Sequence, residues 1–408
     1  MDIGSMPVTE EQYSGWMHHL QSLPTCALVT TGRTGSDFLQ SLLDSHPQVA
    51  TFNGHFAVYS EFFSQSTCLR AGSVSSRDLV DEFVGKYIYK LVSRYDIQES
   101  KDRLGADCNQ SFSLDTDEFR HHVIGLLGDK PATTRAFLLA VYGAYSLCLG
   151  QDLEAKRIIF HHPHLIYELR LFLADFPNSS VIFTTRDPRA NFVSHVEHFR
   201  HYYQESDNEQ HLYGCLQMML EDSSPGKLLG LRYTAVRLED LPKESTLLAL
   251  SNWLGIDYSE TLLHSTWAGL DWHGDRLSKR IFDSKGWSEK RTENGWVNRL
   301  GKLEHYIFNF IMQSRLRHYG YPCRKASWID LIAVFLLIPF PMKYERRFLS
   351  ISHIRSVLRT KSGIVRLQFL LTPLFYLKRV ALCYQFYFRE ARGETFDGNW
   401  IGNPNGSK

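Results

Sequence analysis

The chain has 408 residues, of which 43% are hydrophobic and 22% charged, and its formal net charge is +1 at pH 7. This size allows one large domain or two ordinary ones, and the near-neutral charge excludes a global field that would attract nucleic acid. The seven cysteines are scattered without a CxxC pair, so we expect neither a disulfide framework nor a zinc cluster, and a reducing compartment is favoured.

The N-terminal segment, residues 1–25, is polar and partly acidic. It lacks a basic stretch followed by an apolar core, so it is not predicted to be a secretory signal. No stretch of the chain reaches the roughly 18 apolar residues of a membrane-spanning helix. The nearest is Trp328–Pro341, which is shorter and contains Asp330. We therefore expect a cytoplasmic protein.

The stretch from Cys26 to Leu43 is predicted to be a strand, a short turn and a helix, which either bind an anion or form an ordinary strand-to-helix turn. Cys26–Thr30 has the composition of a buried strand, and an amphipathic helix begins at about Ser36. Free amide groups at a helix N-terminus bind anions, and Arg33 in the turn adds a charge suited to oxyanions. The turn has two residues between Gly32 and Gly35 and no lysine, so it departs from the Walker pattern.

Further strands and helices alternate along the chain. The predicted strands lie in 156–163, 180–188 and 231–241, and the predicted helices in 165–177, after Pro188 and in 244–255, the last capped by Gly255. This alternation predicts an α/β fold with a central parallel sheet. Ligands bind such sheets at the carboxyl ends of the strands, where the chemically suggestive residues lie.

A second anion site is predicted where the strand 180–188 ends. Arg186 and Ser194 are eight residues apart, about 12 Å along a helix and about 80° around it, so both can face one phosphate. A capped helix with solvated charges would explain the Asp187-Pro188 start, but not a second arginine at a second strand end.

Four segments in order resemble the sulfotransferases that use 3′-phosphoadenosine 5′-phosphosulfate (PAPS). They are TTGRTGSDFLQSLLDSHPQV, FPNSSVIFTTRDPRANFVSH, LRYTAVRLEDLPKESTLLALSNWLGIDYSE and SEKRTENGWVNRL. The pattern is most similar to the carbohydrate sulfotransferases. The resemblance implies a P-loop-like three-layer fold over residues 26–325.

The resemblance also implies roles for individual residues. Arg33 takes the place of the family's lysine at the phosphosulfate bridge. It keeps the positive charge but cannot readily donate its proton. The 5′-phosphate would be held by Thr34, Gly35, Ser36 and Asp37, and Phe38 would lie near the adenine. The 3′-phosphate would be held by Arg186 and Ser194. The late loop, which closes over the nucleotide, would contribute Lys290, Arg291, Gly295 and Trp296.

The sequence does not identify the general base, which removes the proton from the hydroxyl that receives the sulfate. His161, His162 and His55 are candidates because a histidine titrates near neutral pH, and Glu61 is a weaker one. At least one of His161 and His162 is expected to be a packed residue. No metal is expected, because no histidine pair has ligand spacing.

Residues 326–408 form a C-terminal extension, predicted to be mainly helical. Eleven Lys and Arg side chains between Lys343 and Arg392 face only Glu345 and Glu390, and aromatic residues lie among them. This pattern favours either peripheral binding to an anionic membrane through 327–392, or a helical subdomain that packs on the core or on a second copy.

The leading hypothesis is an enzyme that moves sulfate from PAPS to a hydroxyl of a carbohydrate or glycolipid. A P-loop kinase acting on a small molecule is an alternative, although the lysine that such kinases need is absent. A non-catalytic, membrane-associated nucleotide-binding protein is another. The acceptor pocket is expected in Tyr59–Leu149 and His198–Leu229. Outside these ranges, Trp272 and His273 are further candidates for its lining, although a position in the core is more common for such residues.

Overall fold

The computed structural model describes residues 8–52, 54–71, 75–92, 103–128, 131–202, 209–220, 230–274, 294–348, 350–359, 362–396 and 398–402. The strands are β1 (Thr25–Val29), β2 (Val49–Ala50), β3 (Ile158–His164), β4 (Ser180–Thr185), β5 (Tyr233–Arg237), β6 (Thr266–Trp267), β7 (Leu270–Asp271) and β8 (Trp400–Ile401). The α-helices are α1 (Glu10–Ser22), α2 (Ser36–Leu43), α3 (Thr67–Ala71), α4 (Ser76–Lys86), α5 (Tyr89–Val92), α6 (Thr116–Leu127), α7 (Thr134–Cys148), α8 (Ile166–Asp175), α9 (Pro188–Tyr202), α10 (Glu209–Leu220), α11 (Glu244–Leu254), α12 (Lys302–Ile311), α13 (Gln313–His318), α14 (Trp328–Leu337), α15 (Lys343–Arg346), α16 (Ile351–Arg359) and α17 (Gly363–Ala391). A π-helix covers Tyr59–Phe63, and 3₁₀ turns cover Leu238–Asp240, Glu260–Leu263 and Asn294–Trp296.

The centre of the fold is a parallel sheet with the strand order β2-β3-β1-β4-β5-β8. The predicted parallel α/β sheet is therefore confirmed. The predicted strands and helices agree with the structure to within a few residues, and Gly255 ends α11 with a φ of 75°. Glycine is favoured there because this backbone conformation is strained for other residues.

Two layers of helices cover the sheet, which gives the expected three-layer arrangement. Alternate residues of β1 point to opposite faces: Ala27 and Val29 enter the larger core, whereas Cys26 and Leu28 enter the smaller one. Every residue of β1 is buried, as is typical of a parallel strand covered on both faces. The loops that follow β1, β3, β4 and β5 thus meet at one edge of the sheet.

The C-terminal extension is mainly helical, as predicted, but it also contributes a strand that the sequence pattern did not indicate. β8 pairs in parallel with β5, with Ala235 opposite Trp400 and Val236 opposite Ile401. The guanidinium of Arg237 lies 5.0 Å from the ring centres of both Trp400 and Tyr321. Residues 400–401 are therefore part of the same sheet as the predicted site.

A buried ion pair links two helices of the extension. Arg379 on α17 donates from Nε and Nη2 to the carboxylate of Glu345 on α15, at 2.8 and 2.9 Å. Both side chains are almost completely buried. Glu209, at the start of α10, is also buried, and both its burial and the nearby Glu345 raise its pKa.

Within the described ranges, no helix is long and apolar enough to cross a bilayer.

Candidate active site

The loop between β1 and α2 has a backbone suited to anion binding. Gly32, Arg33 and Gly35 have φ values of 86°, 54° and 90°. A Cβ at Gly35 would collide with Leu238, so this position needs glycine for its space as well as its conformation. Gly35 is the N-cap of α2 and supplies no side-chain cap. The first amide groups of α2 and the helix dipole therefore favour an anion at the loop.

Three threonine hydroxyls fix this loop to the end of β4. Thr34 Oγ1 lies 2.5 Å from Thr30 Oγ1 and 2.7 Å from Thr184 Oγ1. The amide of Gly32 donates to Thr30 Oγ1 at 2.8 Å. Thr34 is buried, so its hydroxyl supports the loop from the protein interior. The loop is therefore held in shape before any ligand binds.

Helix α9 holds the other side of the loop. Asn191 Nδ2 and His195 Nε2 donate to the carbonyl of Gly32 at 2.8 and 3.1 Å. Burial, together with the charge of Arg33, lowers the pKa of His195 to about 3, so this ring is a neutral donor. Arg33 Nε donates to Ser194 Oγ at 3.3 Å. The structure thus brings Arg33 of the first predicted site directly against Ser194 of the second.

Arg186 follows β4 and is half-buried beside the same loop. Burial lowers the pKa of its guanidinium, the charge of Arg33 acts in the same direction, and Glu239 opposes both. Glu239 in turn accepts from the amide of Asp187 at 3.1 Å and from Tyr321 Oη at 3.0 Å. Because arginine stays charged in proteins, an anion bound to both guanidinium groups would relieve their mutual repulsion.

The Gly295-Trp296 segment reaches the end of β4 through Arg189. The guanidinium of Arg189 lies 4.8 Å from the Trp296 ring centre and pairs with both carboxylate oxygens of Asp187, at 2.9 and 2.6 Å. The ring of His305 stacks on the ring of Trp296, with 5.8 Å between their centroids. Gly295 is exposed. Lys290 and Arg291 lie outside the described residues, and their roles stay predictions.

The remaining predicted residues of α2 differ in environment. Ser36 and Phe38 are buried, and Phe38 packs in the smaller core, which also contains Leu238. Its role near adenine stays a prediction. Asp37 is half-buried, and its charge acts on His55.

His161 points into the larger helical layer. It is completely buried, its Nδ1 lies 2.8 Å from Tyr142 Oη, and its ring stacks on Phe172 at 4.5 Å. Burial lowers its pKa to about 3. The side chain therefore has the environment of a neutral core residue.

His162 points to the opposite face and belongs to a hydrogen-bonded chain. Its Nδ1 lies 3.0 Å from Gln40 Oε1, and its Nε2 lies 3.3 Å from Nδ1 of His164. Gln40 Oε1 also accepts from the amide of Gly54 at 3.0 Å, and Gln40 Nε2 donates to the carbonyl of Phe52. These backbone contacts fix the orientation of the Gln40 amide, so its oxygen faces His162.

The Gln40 oxygen determines the protonation pattern of both histidines. Because this oxygen can only accept, His162 carries its proton on Nδ1 and offers the lone pair of Nε2. His164 then donates from Nδ1, and in its neutral form the lone pair is on its own Nε2. His164 is half-buried and ends β3 with a φ of 69°, at a register irregularity between β1 and β3. Strained backbone and bulges of this kind occur preferentially near active sites.

His55 lies beside His164, with 5.2 Å between ring centroids. Burial is the main cause that lowers the pKa of His55 to about 4, and the charges of His164 and Lys90 add to it. A histidine with this pKa is a weak base at neutral pH.

A cavity of about 480 Å³ is lined by Glu61, Tyr87, Tyr89 and Lys90 among others. The charges of Lys90 and Glu61 act on His55. Glu61 is held by Tyr87 Oη at 2.8 Å and by Lys90 Nζ at 3.0 Å. Although burial opposes the effect, these two contacts lower the pKa of Glu61, so it is ionised and paired. Glu61 lies on the π-helix Tyr59–Phe63, an element that is frequent at functional sites.

Trp272 and His273, suggested as pocket residues, are buried, and His273 Nε2 donates to the carbonyl of Gly105 at 2.9 Å. In the part of the chain that the structure describes, no three His, Cys, Asp or Glu residues are grouped so as to hold a metal ion.

Sequence reasoning missed four residues of this edge: Gln40, His164, Asn191 and His195. The spacing of Asn191 and His195, one helical turn apart on the helix that carries Ser194, was a usable signal. Gln40 and His164 gave no such signal, because their meeting depends on the irregular end of β3.

Comparison with known proteins gives one family. The family model described as "Sulfotransferase family" matches residues 24–260, more than half of the chain. A sulfotransferase domain from the curacin biosynthetic pathway is 15% identical, with a TM-score of 0.34, and the match covers 74% of this chain and 99% of that one. A sulfotransferase domain from the Synechococcus PCC 7002 olefin synthase is 15% identical, with a TM-score of 0.33, and the match covers 78% of this chain and 95% of that one. No curated protein matches significantly.

Proposed function

Because the chain belongs to the sulfotransferase family and is therefore a sulfotransferase, we propose that it transfers the sulfuryl group of PAPS to a hydroxyl of a carbohydrate or glycolipid. The observation that carries the choice of PAPS is the convergence of two arginines on one loop. Arg33 contacts Ser194, and Arg186 lies within electrostatic reach of Arg33, beside the open N-terminus of α2. This arrangement suits a ligand with two separate anionic groups.

The donor would span these groups. The backbone amides of Thr34, Gly35, Ser36 and Asp37 would surround the 5′-phosphate, with the Thr34 hydroxyl holding the loop in shape. Arg186 and Ser194 would hold the 3′-phosphate. Arg33 would stabilise the negative charge that develops on the leaving phosphate oxygen. Gly295-Trp296, with Lys290 and Arg291, would close over the nucleotide.

Transfer needs one proton acceptor and no redox step. The acceptor oxygen forms a bond to sulfur as the bond from sulfur to the bridging phosphate oxygen breaks, which leaves adenosine 3′,5′-bisphosphate. The hydroxyl proton goes to a base. We assign this role to Nε2 of His164, because the chain from Gln40 through His162 leaves the lone pair at that atom. His162 is then a positioning residue, and His161 a structural one.

The cavity lined by Glu61, Tyr87, Tyr89 and Lys90 is the proposed acceptor site, because two of these residues act electrostatically on His55. Its volume of about 480 Å³ is in the range of small-molecule sites, and it combines tyrosine rings with carboxylate and amine groups. Such a lining can stack on and hydrogen-bond to a sugar. Tyr89 is 52% exposed, so Tyr89→Ala should weaken acceptor use without loss of fold or of nucleotide binding. An unchanged KM for a glycoside acceptor would reject this location.

A lipid-linked acceptor fits the C-terminal extension. The helices 327–392 are proposed to associate with an anionic membrane surface, which would place a glycolipid within reach of the enzyme.

Calorimetric titration with adenosine 3′,5′-bisphosphate and with ADP, both without metal, tests the proposed donor. We expect tighter binding of the bisphosphate and a loss of about 10- to 100-fold in Arg186→Ala, since a charge-assisted hydrogen bond contributes about 1.5–3 kcal/mol. ADP binding should change little. Equal affinity for the two nucleotides would overturn the PAPS assignment and favour a kinase-like site.

A further inference from the structure

Helix α14 is apolar on both sides. Its inner face places Val334 and the following Ile338 in the core, and the buried Asp330 accepts from Tyr306 Oη at 2.6 Å. Its outer face exposes Trp328, Ile329, Ile332, Phe335 and Leu336, and Trp328 is 73% exposed. A helix that is apolar all round is expected in a protein interior or in contact with lipid, and not in water.

Helix α17 continues this surface. At about 100° per residue, the exposed Leu367, Leu370, Leu374 and Leu377 fall within an arc of about 80°, opposite the buried Thr372, Arg379 and Cys383. Two tyrosines of α17 fasten the helices together. Tyr384 Oη donates to the carbonyl of Phe335 at 2.9 Å, and Tyr387 Oη to that of Leu331 at 3.1 Å.

The two outer surfaces adjoin at Phe335 and Phe388, whose ring centroids are 6.4 Å apart. We call the exposed apolar side chains of α14 and α17 the outer apolar face. Of the 20 large hydrophobic side chains exposed in the described part of the chain, ten belong to the outer apolar face. This concentration separates the outer apolar face from the scattered exposure that is ordinary on protein surfaces.

The exposed charges described on α16 and α17 beside this face are positive. Arg366 and Lys378 flank the leucine stripe of α17, each about 60° from its centre, and Arg355 and Arg359 are exposed on neighbouring α16. The acidic side chains of the region turn inward. Glu345 is buried against Arg379, and Glu390 accepts from the amide and hydroxyl of Ser314. The rim therefore presents positive charge to a partner.

We infer that the outer apolar face inserts into the interfacial layer of an anionic bilayer, with α14 and α17 lying in the membrane plane. An apolar stripe between cations matches the layered polarity of an anionic leaflet. A second copy of the chain fits less well, because pairing the faces would bring the cationic rims together. This deepens the proposed membrane association, and it does not depend on the sulfuryl-transfer chemistry.

The test is co-sedimentation of the full chain with phosphatidylcholine vesicles and with mixed phosphatidylcholine–phosphatidylglycerol vesicles. We expect binding to the mixed vesicles that persists as salt rises from about 0.1 M to about 1 M, where the Debye length falls from about 10 Å to about 3 Å. Leu370→Glu with Leu374→Glu should reduce partitioning into the vesicles at least about tenfold. Burial of even one leucine side chain contributes about 1.5–3 kcal/mol, which corresponds to at least a tenfold change in affinity. The control, Leu248→Glu with Leu263→Glu, changes leucines that are 47% and 40% exposed elsewhere, and should bind normally.

Three outcomes overturn the inference. These are wild-type binding by the Leu370/Leu374 variant, complete release of the wild type at high salt, or no vesicle binding together with a dimer that this variant dissociates. Titration of the same samples with adenosine 3′,5′-bisphosphate keeps the two proposals apart. If the wild type binds the bisphosphate but no vesicles, only the membrane proposal is rejected. If it binds vesicles but not the bisphosphate, only the donor-site proposal is rejected.

Discussion

Replacement of Gln40 by methionine tests the hydrogen-bonded chain on which the proposal of His164 as the base depends. In the wild type, the Nδ1–H form of His162 donates to Gln40 Oε1 at 3.0 Å, whereas the other tautomer would turn a lone pair toward that oxygen. The His162–His164 hydrogen bond can form in either tautomer, so the preference comes from Gln40. A buried polar group without its partner costs about 1–3 kcal/mol, so about 2 kcal/mol gives a preference of about 30-fold. In Gln40→Met no oxygen accepts a hydrogen bond from His162, so we expect its two tautomers to be about equally populated.

Selective ¹⁵N-histidine labelling measures this preference, because protonated and unprotonated ring nitrogens have well-separated chemical shifts. His162→Gln and His164→Gln assign the signals. Gln40→Glu is the matched control, since it keeps an oxygen at the same place and should keep the Nδ1–H form. An unprotonated Nδ1 of His162 in the wild type would refute the reasoning. In turnover, His164→Gln should lose about 10²- to 10⁴-fold in kcat with unchanged bisphosphate affinity, as expected for a general base.

Three further predictions concern stability and its pH dependence. Arg379→Met should lower the free energy of unfolding by about 3–5 kcal/mol in chemical denaturation, because it leaves Glu345 buried without its partner. Arg379→Met with Glu345→Leu should recover much of this loss. Equal losses in both variants would contradict the pairing. The raised pKa of Glu209 contributes stability that is full below the ordinary glutamate pKa and is lost as pH rises, so Glu209→Gln should flatten the decline toward alkaline pH, and an unchanged slope would count against it. The pKa of His195, lowered to about 3, contributes stability that is present above about pH 6.5 and is lost as pH falls, so His195→Gln should reduce acid lability, and equal acid midpoints would disprove the burial argument.

Long periodic patterns made most of the central fold predictable from sequence. β1, β3, β4 and β5 were predicted because each contains a short apolar run and is followed by a turn or loop. The helices between them were predicted because each has an apolar face and a clear start or stop. β2 and β8 contain only two residues each, too few to show a period. The attachment of β8 to β5 is also a contact between distant parts of the chain, which no local pattern reports.

The candidate site was predictable where it depends on strand ends, and unpredictable where it depends on side-chain direction. Arg33 and Arg186 follow the ends of neighbouring strands, so their proximity follows from the parallel sheet. Strand alternation implies that His161 and His162 face opposite sides, but which one faces the loop depends on where the helices pack. The position of His164 depends on the irregular pairing of β3 with β1, which has no signature in the residue order.

The pairing of β8 with β5 has a consequence for the order in which this polypeptide is built on the ribosome. Synthesis releases β1, β3, β4 and β5 well before residues 400–401, so the outer side of β5 stays an open strand edge while the intervening segments emerge. Open strand edges are templates for aggregation, and a nascent chain exposes them for as long as translation lasts. A stop codon anywhere after the helices and before Trp400 would leave that edge permanently open. Such a truncated product should precipitate or be degraded in cells, even though it retains every residue of the proposed donor site.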